Sequence, residues 1–578
     1  MTLFAQIDIN YIEQHENEED LIFFSTLSND SYLLTKCGEP IRHWKHSSSA
    51  GLSGRLTHDG HLLRAQYVSG SFTQASTGGL LELYDLDTNL EWSYKFSNSE
   101  YTQHHDFHYM DNGNILFIGW EFISDDEKEA LGKEDAFGSL WGEFIYEIKP
   151  VGNDDFELVW EWHLKDHLVQ DEDPSKENFV KMDTAIGKVD INYRGPTIFS
   201  SRDWWHCNAI HYNKERDEVL LSTRSNCEVW IIDHSTTSAE AKTDKGGQSG
   251  KGGQILFRWG NPESYDRGSS LDLKLYGAHG HHWIDEDLPN AGKILIFNNG
   301  DERPEGYYST IEMIEPAYDA DGNYIIENYI HQLADHEIIY GADQSKEPLR
   351  SAYLSNAQQL ANGNFLINEG NQGRVFEIDN NNQIVWELES NRDIFRAYSY
   401  KLNYDGFSTL DISSVNQAPQ PQTINVSQGQ NVVLNVPGSS ISWYETENSN
   451  IPLQTGNNFI IPNIQESVTM WVESGEIIAG SQLCISDRIP LEVIVGSTST
   501  SNINKSNVDL YPNPTSESFT LKGEQPIDEI KVINLNGVTQ VVPQIGQESY
   551  DISLLYPGLY FIEVVVDKQT LIKKLIVE

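Results

Sequence analysis

Two short β-type elements alternate along residues 1–410 and limit the fold of this chain more than any other feature of its sequence. The first is a glycine turn followed by an apolar strand, and it recurs at residues 59–63, 112–116, 291–295 and 362–366. The second closes around a tryptophan, and it recurs at residues 84–92, 147–162, 231–259 and 377–387. One inner and one outer hairpin of this kind make a four-stranded blade, and weakly similar blades in series are typical of a β-propeller.

Helical periodicity is nearly absent from the same region, so the predicted fold class is all-β, with a β-propeller over residues 1–410. An irregular pair of β-sandwiches is the alternative that such strands also allow.

Two further units follow the propeller region, each after a linker. A Pro- and Gln-rich segment at 415–421 precedes alternating strands near 441–444 and 468–471, which predicts an Ig-like β-sandwich over residues 415–496. A linker rich in Ser, Thr and Asn then leads into a third unit at residues 507–578. The expected architecture is a propeller followed by two small β-sandwich domains.

Charge and hydropathy exclude several partners. The chain has 39 basic and 87 acidic residues, a formal charge of -48, so its field repels nucleic acid and anionic membrane surfaces. No apolar run is long enough to span a membrane. The opening six residues resemble the end of a signal peptide, with Ala5 at a position like a cleavage site.

The four cysteines are scattered and form no C-x-x-C pair, which gives no sign of a zinc or redox site. Cys207 and Cys227 lie on segments expected to pair, so they form either a disulfide or two buried thiols.

Histidine, arginine and amide side chains concentrate in a few strand-like segments, namely 104–108, 203–208 with 222–224, and 277–283. A single strand histidine is usually a structural residue. Three clusters in successive hairpins of a ring would instead meet in the central channel, which is where a ligand site is expected.

The second cluster predicts a local geometry. Segments 205–212 and 219–230 flank a polar turn and are expected to form one hairpin. Strand alternation places His206 and Asn208 on one face, and a pairing register with an even residue sum places Arg224 opposite one of them. Such a wall would hold an oxyanion such as a sulfate or carboxylate ester. Phosphoryl transfer is less favoured, because the sequence has no phosphate-binding loop or kinase motif.

The order and spacing of these motifs resemble the arylsulfotransferase (arylsulfate sulfotransferase) family over most of residues 70–400. The segments that carry the resemblance are 203–210, 221–224, 230–234, 257–262, 277–283 and 297–300. The resemblance implies a six-bladed propeller that moves a sulfuryl group from an aryl sulfate to a phenol through a sulfohistidine, with no nucleotide donor and no cofactor. Neutral imidazole is a reasonable nucleophile for such a displacement.

The family motifs map onto particular residues of this chain. His279 matches the nucleophile, and the other catalytic residues that the resemblance implies are His105, His206 and Arg224. Residues expected to contact the substrate are Asn208, His104, His281 and Asn299.

The sequence departs from the family pattern beside the nucleophile. Many members have Gln-His-Asp-Ala there, whereas this chain has Ala278, His279 and Gly280 in succession. Alternation places His281 on the same face as His279, where it would supply hydrogen bonds or belong to a structural histidine cluster. No metal is assigned to this pair, since no carboxylate or thiol partner is evident.

The third unit resembles the C-terminal sorting domain of proteins that Bacteroidetes export by type IX secretion. The motifs that carry this resemblance are at residues 511–514, 533–537, 557–560 and 573–578. The resemblance implies a signal peptide, the type IX machinery as a partner, and a secreted or cell-surface protein.

Three functions fit the sequence. The first is sulfuryl transfer between an aryl sulfate and a phenol. The second is a propeller lyase that acts on an acidic glycan, either uronate-containing or sulfated, with Arg224 neutralising a carboxylate. The third is a propeller that binds an anionic ligand without catalysis.

Overall fold

The structure is a computed structural model. It describes residues 7–10, 20–36, 38, 40–70, 72, 78–133, 140–197, 202–343, 348–410, 422–436, 441–449, 451–478, 481–485, 488–496, 508–523, 526–534, 539–546, 548–566 and 569–577. These residues contain 44 strands and two short α-helices, so the predicted all-β class is confirmed. The segment that resembles a signal peptide, residues 1–6, lies outside the described residues.

Twenty-nine strands precede residue 402. They are β1 (Ile7–Asn10), β2 (Asp20–Thr26), β3 (Asp30–Thr35), β4 (Pro40–Lys45), β5 (Ala50–Leu56), β6 (His61–Tyr67), β7 (Gly79–Asp85), β8 (Leu90–Lys95), β9 (Tyr101–Tyr109), β10 (Ile115–Ile123), β11 (Leu140–Val151), β12 (Asp155–His163), β13 (Leu168–Val169), β14 (Val189–Asp190), β15 (Cys207–Asn213), β16 (Glu218–Thr223), β17 (Glu228–Asp233), β18 (Ile255–Trp259), β19 (His279–Trp283), β20 (Ile294–Asn298), β21 (Thr310–Pro316), β22 (Ile326–Glu327), β23 (Ile330–His331), β24 (Leu333–Tyr340), β25 (Asn356–Gln359), β26 (Phe365–Glu369), β27 (Arg374–Ile378), β28 (Ile384–Ser390) and β29 (Ile394–Lys401).

Helical elements in this part are short. The α-helices are α1 (Asp125–Ala130) and α2 (Ser238–Ala241), and the single-turn 3-10 helices are Leu164–His167, Met182–Thr184, Pro262–Tyr265, Gly370–Gln372 and Asp405–Phe407.

Most of these strands pair into antiparallel sheets that surround a channel. Among the described residues before 402 there are six sheets of four or five strands, ordered β29-β2-β3-β4, β5-β6-β7-β8, β9-β10-β11-β12, β15-β16-β17-β18, β19-β20-β21-β24 and β25-β26-β27-β28-β1. Their first strands contact one another in the order β29, β5, β9, β15, β19, β25 and back to β29. This closed ring of sheets is a β-propeller, and its inner strands line the channel.

The ring is closed by pairing strands from its two ends. β2 pairs with β29 in antiparallel register, with Leu21 opposite Tyr400 and Phe24 opposite Ala397. One sheet therefore contains both early and late parts of the chain, which leaves no open edge between them.

Tryptophans on the fourth strand of three sheets join neighbouring sheets, which explains their recurrence in the sequence. Trp92 donates its indole N–H to the Asp155 carbonyl at 2.8 Å, and Trp162 donates to the Gly253 carbonyl at 2.8 Å. Trp386 donates to the Lys36 carbonyl at 2.6 Å. In each case the acceptor belongs to the outer turn of the next sheet, so a large apolar ring packs between sheets while its polar atom is satisfied.

Residues 422–496 form two sheets. The strands are β30 (Gln422–Ser427), β31 (Val432–Asn435), β32 (Ile441–Tyr444), β33 (Gln454–Thr455), β34 (Asn458–Ile461), β35 (Val468–Ile478), β36 (Ser481–Ile485) and β37 (Ile489–Gly496). One sheet has the order β30-β37-β35-β32-β33 with β36 beside β35, and the other is β31-β34. The fully buried Trp443 lies in this region.

Residues 508–577 also form two sheets, ordered β38-β39-β42 and β41-β40-β43-β44. Their strands are β38 (Val508–Tyr511), β39 (Ser518–Gly523), β40 (Glu529–Asn534), β41 (Thr539–Gln540), β42 (Ser549–Asp551), β43 (Gly558–Val566) and β44 (Gln569–Val577). The core between them includes Phe519, Leu521 and Ile562.

The chain separates into two compact units. One comprises residues 1–424, 431–461 and 467–493, and the other comprises 425–430, 462–466 and 494–578. The domain limits predicted from the sequence, 1–410, 415–496 and 507–578, stay predictions, because the linkers at 411–421 and 497–507 lie outside the described residues.

Candidate functional site

The histidines identified in the sequence lie on inner strands, or directly before one, and are brought together in the channel. His105 is on β9, His206 directly precedes β15, and His279 begins β19. Their exposed fractions are 2%, 4% and 2% respectively. The rings of His105 and His206 meet edge to face with centroids 4.5 Å apart. The predicted convergence of histidines from separate sheets is therefore present.

One tautomer of His279 is selected by its surroundings. Its Nδ1 lies 2.8 Å from the Asn299 side-chain oxygen and 3.0 Å from the Gly277 carbonyl oxygen. The Asn299 amide nitrogen donates to the carbonyls of Ser351 and Leu354 at 2.7 and 3.2 Å, so its oxygen must face the imidazole. Both partners of Nδ1 are acceptors, which places the proton on Nδ1 and the lone pair on Nε2.

The charge state of His279 is fixed by burial and by nearby guanidinium groups. Burial lowers the pKa of His279 well below its usual range, and the positive charges of Arg396 and Arg224 lower it further. The imidazole is therefore neutral at physiological pH and retains a nucleophilic lone pair.

Arg224 lies beside His206. The sequence predicted that Arg224 lies within a strand, and that prediction is wrong. Residues 219–230 do not form one strand, because Arg224 to Cys227 make a tight turn between β16 and β17. The Arg224 N–H donates to the His206 carbonyl at 3.1 Å. Its guanidinium donates to the Thr197 carbonyl and to the Asp301 carboxylate, both at 2.6 Å.

The predicted even register is also wrong along most of the hairpin. Ile210 pairs with Leu221, which is an odd sum, and a bulge at Asn208 then shifts the register so that Cys207 pairs with Thr223. Because of the bulge, the numbers of paired residues have an even sum only at the end of the strand. His206 and Arg224 are neighbours for this reason and not through regular alternation.

His206 and His105 have unusual backbone conformations. Their φ angles are 52° and 49°, in the left-handed region that non-glycine residues seldom adopt. His206 is anchored by a hydrogen bond between its Nδ1 and the Asp203 carboxylate. Strained residues of this kind collect at sites where side-chain direction matters.

A buried polar chain extends from His105 away from the site. His105 Nδ1 lies 2.7 Å from His104 Nδ1, and His104 Nε2 lies 2.9 Å from a Glu143 carboxyl oxygen. The other Glu143 oxygen accepts the Cys207 N–H at 2.9 Å. His104 stacks on Trp120 with ring centroids 3.9 Å apart, which fixes its plane.

The pKa values of Glu143, His104 and His105 favour the uncharged form of each group. Burial raises the pKa of Glu143 well above its usual range. Burial lowers the pKa of His104 to about 3 and that of His105 well below its usual range. A carboxylic acid and two neutral imidazoles joined by hydrogen bonds can pass a proton along the series, and all three groups are uncharged before the transfer.

The structure adds Arg396, which sequence reasoning missed. Arg396 is 3% exposed on β29 and donates to the Ser355 carbonyl at 2.5 Å and the Asn208 carbonyl at 3.0 Å. β29 and β15 are opposite one another in the ring of six sheets. The guanidinium therefore crosses the channel.

Asn208 and His281 lie in the channel, but neither is hydrogen-bonded to the His279 ring. The Asn208 amide donates to the Ala278 carbonyl at 3.0 Å, and its own oxygen is buried with no hydrogen-bond partner among the described residues. β19 has an irregularity between His279 and His282, where Gly280 has a φ of 67°. Strict alternation, from which His281 was placed on the face of His279, is interrupted there.

Cys207 and Cys227 are the two cysteines whose side chains the structure describes, and both are buried. Cys207 and Cys227 are both thiols in the described structure, so the disulfide alternative is wrong. Among the described residues no group of three or more His, Cys, Asp and Glu side chains is arranged to hold a metal ion.

The fold and site together define a class: an all-β propeller protein with a neutral, buried histidine and arginines inside its channel. A model of the arylsulfotransferase (ASST) family matches residues 44–405, which is more than half of the 578 residues. The chain belongs to the arylsulfotransferase family, as the motifs predicted.

The C-terminal unit also matches a family. A model of the secretion system C-terminal sorting domain matches residues 509–578. The predicted type IX sorting domain is confirmed, and it indicates export to the cell surface or the outside. In the part of the chain that the structure covers, no helix is both long and apolar enough to cross a membrane.

Several solved structures are similar over most of their length. A protein of unknown function from Bacteroides caccae is 11% identical, with 66% of this chain and 100% of that chain covered and a TM-score of 0.37. Virginiamycin B lyase from Staphylococcus aureus is 9% identical, with coverages of 66% and 88% and a TM-score of 0.31. Regucalcin from Agrobacterium tumefaciens is 11% identical, with coverages of 68% and 95% and a TM-score of 0.28. No curated protein sequence matches the chain. Nothing about function follows from similarities at this level.

Proposed function

We propose that this protein transfers a sulfuryl group from an aryl sulfate to a phenol through a covalent intermediate on His279. The observation that carries the proposal is the fixed tautomer of His279, whose Nδ1–H is held by Asn299 and Gly277 while Nε2 keeps its lone pair. A neutral imidazole with a directed lone pair is a competent nucleophile toward a sulfate ester.

In the first half-reaction, Nε2 of His279 attacks the sulfur of the donor. The N–S bond forms as the S–O bond to the aryl group breaks, and the electron pair of that bond leaves with the phenolate. The sulfohistidine ring then carries a positive charge. The Asn299 and Gly277 oxygens that accept the Nδ1 hydrogen stabilise this charge.

Arginine side chains supply the positive potential that the sulfuryl oxygens require. The guanidinium groups of Arg224 and Arg396 both act electrostatically on His279. Asp301 balances part of the charge of Arg224 and orients its fork. His206, anchored by Asp203, lies beside Arg224 and adds an imidazole to this wall. These groups are assigned to hold the oxygens of the transferring group.

The departure from the family pattern beside His279 removes polar neighbours, and other residues take over their positioning role. Ala278 and Gly280 offer no side-chain hydrogen bonds, whereas Asn299 approaches from the end of the next strand and fixes the ring. Asn299, expected from the sequence to contact the substrate, is assigned here as a positioning residue.

The buried series of Glu143, His104 and His105 is assigned as the proton relay of the reaction. When Glu143 is protonated it donates to His104 Nε2, His104 donates from Nδ1 to His105 Nδ1, and His105 carries its own proton on Nε2. That proton passes to the leaving phenolate. The remaining protons shift one place along the chain, and Glu143 ends ionised.

In the second half-reaction the protons move along His105, His104 and Glu143 in the opposite direction. The oxygen of the acceptor phenol attacks sulfur, the N–S bond breaks, and His279 recovers its lone pair. The phenol proton moves to His105 Nε2 and the shift returns a proton to Glu143. His104, expected from the sequence to contact substrate, serves in this scheme as the middle of the relay.

Turnover of a chromogenic aryl sulfate with a phenol acceptor and no nucleotide tests the proposal. His279→Asn is expected to abolish turnover, and the purified wild-type chain mixed with donor alone is expected to gain the mass of one SO₃ group. His282→Asn is the matched control, because His282 is a neighbouring channel histidine with its Nδ1 on a backbone carbonyl. Donor turnover that persists in His279→Asn would overturn the proposal.

The two other functions considered from the sequence give different results in the same assays. Unsaturated, ultraviolet-absorbing products from a uronate glycan would identify a lyase. Anion binding without turnover of any donor, unchanged in His279→Asn, would identify a binding protein.

A further inference from the structure

A second cavity occupies the channel on the other side of Arg396. Its volume is about 460 Å³, which is within the range of small-molecule sites. It is lined by later residues of the inner strands, such as His108 of β9 and His211 of β15, whereas the proposed nucleophile site uses residues that come earlier in the same segments, such as His105 and His206. His105, His206 and His279 are not among its lining residues.

Arg396 lies between this cavity and the proposed nucleophile site around His279. Its guanidinium reaches from β29 to the Asn208 carbonyl on the opposite strand β15, at 3.0 Å, and it also lines the second cavity. Carbonyl oxygens satisfy part of its hydrogen-bonding capacity but do not neutralise its charge.

The inner wall of this cavity carries two guanidinium groups, the buried Arg396 and the partly buried Arg55, and one buried carboxylate. Arg55 donates to the Tyr398 hydroxyl at 2.8 Å, and Arg396 donates to carbonyls. Among the described residues neither guanidinium lies within 4.0 Å of a carboxylate oxygen. Asp106 is the one buried carboxylate whose field acts on both, and it is hydrogen-bonded to the Ser53 hydroxyl. Asp285, which is exposed and also lines the cavity, is a further carboxylate on which Arg55 acts, so on the inner wall the two guanidinium groups share one buried carboxylate. A guanidinium group held away from water favours a further anionic partner.

The histidines of this cavity are neutral and have unused hydrogen-bonding atoms. Burial lowers the pKa of His108 and of His281 to about 3, and that of His211 well below its usual range. The Nδ1 atoms of all three have no hydrogen-bond partner among the described residues, and His281 is only 2% exposed. Buried polar atoms without partners are unusual and are expected at a site that a ligand completes.

The remaining walls restrict the size and charge of the ligand. Tyr398, Tyr400 and Tyr404 form an aromatic side to the cavity. Asp111 and Asp287 are exposed at its rim, where their negative charge opposes a polyanion. The deep positive charge, the aromatic side and the acidic rim together favour a small ring with a single anionic group.

We infer that this cavity is a second ligand site that binds a compact aromatic monoanion, with its carboxylate or sulfate on Arg55 and Arg396. The cationic side chains hold the anionic group, the neutral histidines supply directional hydrogen bonds, and the tyrosines pack against the ring. The site shares Arg396 with the proposed nucleophile site, but ligand binding in the cavity does not require the reaction at His279.

Calorimetric titration of the full chain with benzoate tests this inference, with benzyl alcohol as the uncharged comparison. Benzoate is expected to bind saturably and benzyl alcohol is not. Arg55→Met is expected to weaken benzoate binding by about tenfold or more, because one of two charged contacts is lost. Lys401→Met is the matched control, since Lys401 lies at the rim and is paired with Asp287.

Further variants separate this site from the nucleophile site and from misfolding. His279→Asn is expected to bind benzoate as the wild type does. Arg55→Lys keeps a positive charge and is expected to retain part of the affinity, with thermal unfolding monitored for each variant. Benzoate binding that is equal in Arg55→Met and wild type, that requires His279, or that does not saturate would overturn the inference, and the aryl sulfate assay would be unaffected by any of these results.

Discussion

Asn299 determines which nitrogen of His279 is available for chemistry. Its oxygen accepts from Nδ1 at 2.8 Å, and its own nitrogen is held by two carbonyls, so the amide cannot turn over. Asn299→Ala is expected to lower kcat for aryl sulfate turnover by about 10- to 100-fold with little change in KM, because the ring loses its fixed tautomer and direction.

Asn298→Ala is the matched control for that variant. Asn298 is an equally buried neighbouring amide that bonds to the Tyr276 N–H and to Glu312, away from His279. Steady-state kinetics at several pH values check the result. A fall in kcat of the same size in both variants would mean that Asn299 acts only through stability.

The relay can be tested by a substitution that preserves every hydrogen bond. In Glu143→Gln the amide nitrogen can donate to His104 and the amide oxygen can accept the Cys207 N–H, so the fold is retained. The amide cannot give up or regain a proton. Desulfation of His279 by a phenol is expected to slow by about 10²- to 10⁴-fold.

The measurement for Glu143→Gln is rapid-mixing detection of product release. With a donor whose phenol is a good leaving group, the first half-reaction should survive, giving one turnover and a stable sulfohistidine. Steady turnover at the wild-type rate and with the wild-type pH profile would show that no proton passes through Glu143.

At this scale the sequence located the histidines, Asn299 and Arg224 but not Arg396 or Glu143. His105, His206 and His279 occur in conspicuous polar clusters, whereas Arg396 lies in an ordinary strand 188 positions from the Asn208 carbonyl that it reaches. Glu143 likewise sits within an apolar strand. Ring closure brings Arg396 to the site, and the pairing of β9, β10 and β11 in one sheet brings Glu143 to His104. No local sequence pattern marks either contact.

At the scale of single strands, the bulge in β19 depends on Gly280. Its φ of 67° is unfavourable for residues with a side chain, and a Cβ there would lie 2.9 Å from the Cβ of Asn356. Gly280→Ala is expected to reduce the free energy of unfolding by about 2–3 kcal/mol and to lower turnover, because His279 is the preceding residue.

Gly292→Ala is the matched control for the bulge. Gly292 has a φ of 80°, and a Cβ added there meets nothing within 4 Å. It is expected to cost about 1 kcal/mol from backbone conformation alone and to leave turnover intact. Denaturant unfolding of both variants checks the difference, and equal losses would show that contact with Asn356 is unimportant.

Element patterns were predicted where they repeat and missed where they are irregular. The recurrent tryptophans follow from packing between sheets, as with Trp162 donating to the Gly253 carbonyl, so they identify outer strands reliably. The turn after Arg224 and the bulge at Asn208 have no proline or paired glycine to mark them. A register that rests on unmarked irregularities is set by the packed fold and not by local preference.

For the whole molecule, the buried histidines predict a stability that falls in acid. The pKa of His104, His108 and His281 is lowered by burial from 6.5 to about 3. The unfolded chain therefore binds more protons below pH 6.5, and each such histidine costs about 1.4 kcal/mol of stability per pH unit down to pH 3. Thermal melts between pH 7 and pH 4 should show a steep decline.

His234 contributes in the opposite direction. Hydrogen bonds and ion pairs with Asp217 and Glu147 outweigh the effect of burial and raise its pKa from 6.5 to about 9. Its stabilising effect is complete below pH 6.5 and is lost as the pH rises through 9. His234→Gln is expected to flatten the alkaline limb of the melting profile and leave the acid limb unchanged, and loss of the acid limb instead would refute the assignment.

The pairing of β2 with β29 has a consequence for how the protein is made. Asp20 and Ser399, which are hydrogen-bonded across that sheet, are 379 positions apart in sequence. During synthesis and translocation β2 emerges long before β29. The edge of β2 that pairs with β29 therefore stays without its hydrogen-bond partner until almost the whole ring has been made. Contacts of such separation form slowly, and exposed edges attract other chains in the meantime. An incomplete product that stops before β29 would therefore accumulate as aggregate, and the exporting cell has to shield the nascent ring until its final strand arrives.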